Sequence, residues 1–179
     1  YVNAKSETFY DDQDAYDGIL TWVPDANARH RVVATGVWDF PVGRGRALGG
    51  DMSRALDIIV GGWQIAGTFS YRSGNLLSFG AMVAPDTVKV LRGTGKNAYW
   101  FDKTGFSALP SYTRRTNPIY YDDVRGPSYR NVDLVLNKSV TLAKGHRLQF
   151  RLEAYNALNL INFADPVMSI TSSDFGKTN

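Results

Sequence analysis

The sequence predicts an all-β chain: antiparallel up-and-down transmembrane β-barrel strands, a partial barrel of about five, carrying long extracellular loops. Three observations predict it. Apolar and polar residues alternate with period two through several segments. Those segments run to about ten residues or more, close to the roughly 9 to 11 that cross a bilayer at a tilt and longer than the usual five or six of globular strands. The connections alternate between short and long, as they do in outer-membrane barrels.

Taken in chain order, residues 1–6 read as the tail of a strand and 7–30 as a long, polar, acidic loop. Residues 31–40 set Val32, Ala34, Gly36, Trp38 and Phe40 against Arg31, Val33, Thr35, Val37 and Asp39. Pro41 ends that strand, because proline has no amide hydrogen to give a ladder. The Gly- and Arg-rich connection 41–61 has room for one short helical turn over 51–60. Residues 62–72 then separate Trp63, Ile65, Gly67, Phe69 and Tyr71 from Gln64, Ala66, Thr68, Ser70 and Arg72. A very long connection, 73–129, follows.

Residues 131–142 oppose Val132, Leu134, Leu136, Lys138, Val140 and Leu142 to Asn131, Asp133, Val135, Asn137, Ser139 and Thr141. Lys138 interrupts the dry face, and near a strand end it can snorkel, laying its methylene stem on apolar surface with the ammonium in the wet interface. After the minimal turn 143–145, residues 147–158 place Leu148, Phe150, Leu152 and Ala154 opposite Arg147, Gln149, Arg151, Glu153 and Tyr155, which completes a hairpin. Residues 159–179 form a last loop.

If the minimal turn is periplasmic, parity puts 41–61 on the same side and the long connections outside. The lipid face is then Trp63, Ile65, Phe69, Leu134, Leu136, Phe150 and Leu152, and the lumen wall is Arg72, Asp133, Arg151 and Glu153. The rival arrangement is an extracellular structural or adhesive β-protein packed as a sandwich or filament. A structureless connection as long as 73–129 counts against any compact soluble domain.

Composition narrows the functional classes. With 179 residues, 44% of them apolar, the chain is one ordinary domain or part of something larger, and its start at Tyr1 reads as the mark of a fragment. The absence of cysteine excludes a disulfide scaffold, a thiolate metal site and a cysteine nucleophile. A net charge of +3 with dispersed basic residues gives no reason for a nucleic-acid partner. No apolar run approaches the roughly 18 residues of a transmembrane helix, which leaves crossing by strands untouched.

The motifs are weak. Gly43, Gly45 and Gly49 space as G-x-G-x-x-x-G without a parallel βαβ unit and with Arg44 and Arg46 in the would-be phosphate cradle, so the pattern reads as a flexible basic turn. Asp11, Asp12, Asp14 and Asp17 offer hard oxygen ligands at a spacing that is not an EF-hand's, and read as a solvated loop without a metal. His30 and His146 form no recognisable triad or metal set. Asp122, Asp123 and Glu153 supply carboxylates that no spacing pairs as acid and base, so neither an enzyme nor a cofactor is expected. In the long connection, Tyr99, Trp100, Tyr120 and Tyr121 are the candidate ligand-stacking aromatics, with Phe101, Tyr112 and Tyr129 nearby. Their alternatives are a self-packed plug and an aromatic girdle at the bilayer surface.

Several stretches, in order, resemble the C-terminal barrel portion of Oar-like TonB-dependent outer-membrane receptors, the large acidobacterial type with a carboxypeptidase-regulatory-like domain. They are residues 30–43, with Trp38, Asp39, Phe40 and Pro41; residues 61–67, with Ser73 and Gly74; Trp100, Phe101, Asp102 and Phe106; Arg125, Gly126 and Pro127; residues 131–134 with Lys138; residues 147–159; Asn162, Phe163 and Pro166; and Phe175 with Gly176. Their order and spacing carry the resemblance, which runs from about Ala28 onward. It implies a barrel of about 22 strands, a location in the bacterial outer membrane, lipid as a neighbour, and uptake or binding of an unidentified oligosaccharide, peptide or chelate. It also implies energy coupling to the TonB complex through N-terminal regions that this sequence lacks, and a closing strand beyond Asn179.

Overall fold

A computed structural model describes residues 5–8, 21–93, 95, 97–142 and 145–178. The chain divides into two compact units, one formed by Val32–Tyr71 with Arg130–Ile161, the other by the segments up to Arg31, Arg72–Tyr129 and from Asn162 onward.

The first unit is an antiparallel sheet. Strands β3 (Arg31–Asp39), β4 (Trp63–Arg72), β9 (Tyr129–Thr141) and β10 (Arg147–Ala154) lie in the order β10-β9-β4-β3. Each falls within two residues of its predicted start. The last strand is shorter than the predicted 147–158, because Asn156 and Asn159 take positive φ of 47° and 49° and turn the chain. Asn156 fixes that turn by hydrogen bonding Leu160 N to its Oδ1 and donating Nδ2 to Leu160 O, at 2.9 and 3.0 Å. Asparagine tolerates this left-handed conformation better than most residues.

The register of β9 with β10 is explicit: Lys138 faces Phe150, Leu136 faces Leu152 and Leu134 faces Ala154. Three contacts place β4 on the other side of β9. Ser139 N donates to Gly62 O, Asn137 Nδ2 donates to Gln64 Oε1, and Gly67 lies beside the Leu134 methyl. Together they set Trp63 opposite Lys138. Phe40 N donating to Trp63 O, and Gln64 Nε2 donating to Asp39 Oδ1, fix β3 against β4 in the same way. Because side chains alternate strictly along a strand, the four predicted dry faces fall on one side of the sheet and the four wet faces on the other.

The connection 41–61 is ordered, contrary to the flexible turn expected. It contains α1 (Arg54–Val60), shorter than the 51–60 allowed for, with Ser53 as N-cap accepting from Leu56 N. Gly62 follows with φ +70°, and a Cβ there would lie 2.2 Å from Ser139 O, so this approach of turn to strand requires glycine.

The second unit corrects the loop assignments. Residues 1–4 lie outside the described residues, and Lys5–Thr8 (β1) pairs with Thr21–Pro24 (β2), a strand inside the expected loop 7–30. This hairpin is a separate two-stranded sheet, so among the described residues the larger sheet has four strands, and the strand expected at the chain's start pairs within the hairpin instead.

The expected loop 73–129 holds β5 (Leu76–Ser78), β6 (Met82–Val83), β7 (Ser107–Ala108) and β8 (Tyr120–Arg125), paired β5 with β8 and β6 with β7. Its core is Leu77, Phe79, Met82, Val88, Trp100, Phe101, Tyr121 and Val124, and the expected last loop 159–179 adds Phe175. The aromatic rings meet at centroid separations of 5.1–5.7 Å, the range of edge and offset contacts. The long connection therefore has a folded core of its own.

Candidate functional site

The four-stranded sheet has two chemically different faces. Trp63, Ile65, Phe69, Leu134, Leu136, Phe150 and Leu152 share the apolar face, the assignment made from parity. Leu152 is 67% exposed and Phe150 58%. Among the described residues of the four strands, Lys138 is the only buried one. An ordinary water-soluble sheet buries one face against a core, and this apolar face is not buried.

Lys138 shows how that face ends. Its stem lies between Trp63 and Phe150, and its ammonium donates to Gly61 O and, at 3.2 Å, to Ile59 O. The Trp63 ring lies 5.0 Å from the ammonium, and its Nε1 donates to the same Ile59 O at 3.0 Å. The backbone carbonyls at the end of α1 thus take the place of interfacial water. Phe40, Trp63 and Phe150 occupy Lys138's level of the sheet, and Trp38 packs on Phe40 with centroids 4.6 Å apart. Aromatics flanking a snorkelling lysine are what the rim of a membrane-facing band requires.

The opposite face is polar and cross-linked. Asp39, Gln64, Asn137 and Arg151 form one row across the four strands, joined by Gln64 to Asp39 at 2.9 Å and Asn137 to Gln64 at 3.2 Å, with Arg151 directly opposite Asn137. Asp39, Gln64 and Asn137 are therefore held by one another. Arg151 Nε lies 2.6 Å from Glu153 Oε1, and the Tyr155 hydroxyl donates to the same carboxylate. Asp133 accepts from Asn156 N at 2.9 Å and so secures the turn after β10. Arg72 stands at the end of β4, away from this row. Of the four lumen residues expected from sequence, the structure brings together Arg151 and Glu153. Sequence reasoning missed Asp39, Gln64 and Asn137 as a connected row, although all three lie on the wet parity.

The four candidate ligand aromatics split into two pairs. Trp100 and Tyr121 are core residues: Trp100 Nε1 donates to Arg125 O at 2.6 Å and the Tyr121 hydroxyl to Pro85 O at 2.8 Å. Burial pushes the Tyr121 phenol above its ordinary value. Tyr99 and Tyr120 are half-buried. Tyr99 sits between Lys103 and Lys177, whose ammonium groups lie 5.0 and 5.8 Å from its ring, and the hydrogen bond with Lys103 lowers its phenol pKa. The core explains why one pair faces inward: each inward ring also places its polar atom on a backbone carbonyl.

Among the described residues no three His, Asp or Glu side chains converge as a metal site, and the acidic run 11–17 lies outside them. Asp122 and Asp123 are exposed on β8, while Glu153 is engaged by Arg151 and Tyr155. No helix among the described residues is long and apolar enough to cross a membrane.

No curated protein and no solved structure matches this chain. A family model for the outer membrane beta barrel domain matches residues 3–179, nearly the whole sequence, and agrees with antiparallel strands that bare one apolar face and cross-link the other. The protein is located in the bacterial outer membrane, and the chain belongs to the outer membrane beta-barrel domain family.

Proposed function

We propose that the chain supplies barrel wall and folded extracellular loop to a TonB-dependent receptor that binds and takes up an external ligand, without enzymatic chemistry. The observation that carries this reading is the pairing of a two-faced sheet with a long connection that folds around its own aromatic core. A barrel that served only as an anchor would have no use for such a loop, whereas ligand sites are commonly set on loops held by a rigid scaffold. The resemblance to Oar-like receptors supports the TonB-dependent part of the reading.

On this reading the ligand is an oligosaccharide, peptide or chelate, contacted through Tyr99 and Tyr120. Energy comes from the TonB complex through N-terminal regions outside this chain. The test is accumulation of labelled oligosaccharides, peptides and iron chelates by cells that express the full-length protein, with and without TonB. Accumulation that stops on TonB depletion is expected; accumulation unaffected by depletion, or none of any ligand class, would refute uptake of this kind.

A further inference from the structure

One cleft of the sheet unit is used neither by the apolar face nor by the cross-linked polar row. It lies where the connection 41–61 meets the turn between β9 and β10, with a volume of about 390 Å³, and Arg44, Arg46, Arg54 and Arg147 line it. None of these four guanidinium groups forms a salt bridge among the described residues. The acidic side chain in the lining, Asp57, already accepts from Arg44 N at 2.7 Å and packs against Gly43 and Gly61. Four positive charges thus face one carboxylate that is tied into its own turn.

The frame that holds them is built. Gly43 N donates to Leu48 O at 3.0 Å, Gly45 N to Gly50 O at 3.2 Å, and Leu48 N to Pro41 O at 2.9 Å. Gly43 has φ +142°, and a Cβ there would lie 3.0 Å from the Asp57 carboxylate and 3.3 Å from Gly61, so the turn closes on the helix only with glycine at this position. Like charges gathered in a concavity raise the local concentration of anions, and an anion relieves their repulsion. The volume falls in the range of small-ligand sites.

We propose that this cleft binds a phosphate-bearing anion. Guanidinium forks match carboxylate and phosphate alike. A phosphoryl group spreads its oxygens around one centre and accepts from several forks at once, whereas a carboxylate serves one or two. The phosphate comes from a soluble phosphate ester or from a phospholipid headgroup, and the proposal stands on the cleft alone, whatever the receptor takes up.

The test uses the full-length protein in neutral detergent. Pyrophosphate binding is measured by calorimetry, and association with phosphatidylglycerol vesicles is measured against phosphatidylcholine vesicles. The double variant R46A/R54A is expected to weaken binding about a hundredfold, near tenfold for each charge-assisted contact. R46K/R54K keeps charge and fold but loses the forks, so it should fall between; K89A/R92A, outside the cleft, should bind as wild type. Loss of pyrophosphate binding in R46A/R54A identifies a soluble source, and loss of phosphatidylglycerol association alone identifies the headgroup. Wild-type protein that binds neither probe, or R46A/R54A that binds both as tightly as wild type, would overturn the proposal.

Discussion

Leu134→Arg is expected to cost about 2–4 kcal/mol of barrel stability, and Val135→Arg, one residue along, close to nothing. The magnitude follows from depth. Lys138, with its ammonium on the Ile59 and Gly61 carbonyls, marks one boundary of the apolar band. At about 3.4 Å per residue and a tilt near 40°, each residue of β9 covers about 2.6 Å of depth, so a band of about 25 Å reaches from Lys138 back to the vicinity of Tyr129. Tyr129 is where β9 begins. Leu134 then stands near the midplane, where an arginine is costliest, and Val140 lies beyond the boundary, where Val140→Arg should cost less than about 1 kcal/mol. Val135 faces the other way, on the polar side of the sheet and opposite Glu153, where an introduced arginine stays among polar groups. Because Leu134 also packs on Gly67, Leu134→Ala serves as the reference for lost packing. The assay is reversible urea unfolding of the full-length protein in lipid vesicles. Equal costs at 134 and 135, or a cost at 134 no larger than at 140, would refute the assignment of faces and depth.

Spin labels at Phe150 and Arg151 of the full-length protein should separate cleanly, the first relaxed by a lipid-soluble quencher and the second by a water-soluble one; indistinguishable responses would contradict the two-faced sheet. Phe101→Ala should cost the loop unit about 3–5 kcal/mol, the usual loss for a fully buried ring, since Phe101 is fully buried among Phe79, Phe106 and Phe175. Proteolysis within 73–129 and red-shifted tryptophan emission would report it, and unchanged protection would deny the core. Gly62→Ala should destabilise the sheet unit by about 1–3 kcal/mol, because an L residue is strained at this φ and its Cβ meets Ser139 O; an unchanged unfolding midpoint would count against that close approach.

The sheet was legible in the sequence because its signal is local. In β4 and β9 the environment of each residue is set by parity, and parity needs only neighbours two positions away. The loop core was not legible for the opposite reason. Phe79, Phe101, Tyr121 and Phe175 are scattered over almost a hundred positions with no common period, so only the folded chain shows that they touch. Trp100 and Tyr121 were open to three readings, and self-packing is the one that the burial of their rings supports. Tyr99 and Tyr120 differ from them only in which carbonyls and rings lie nearby, information that no spacing contains. The hairpin of β1 with β2 was hidden for a third reason: its strands are four residues each, too short for alternation to stand above chance.

Lys138 ties these levels together. On periodicity alone it is an exception, a charge on the dry face of the longest strand. In the sheet it occupies the level of Phe40, Trp63 and Phe150, and its ammonium reaches past them to carbonyls of the turn that also frames the arginine cleft. The adjacent level of the apolar face, Trp38, Ile65, Leu136 and Leu152, contains no polar atom except the Trp38 indole nitrogen. A charge confined to the last level before the turn, with its partners supplied by that turn, is inexpensive where interfacial water is close and prohibitive deeper in hydrocarbon. The lysine's position thus dictates where the lipid boundary can lie, and the ordered turn, with Gly43 and Gly62 as its two constrained glycines, is what lets a cation stand there.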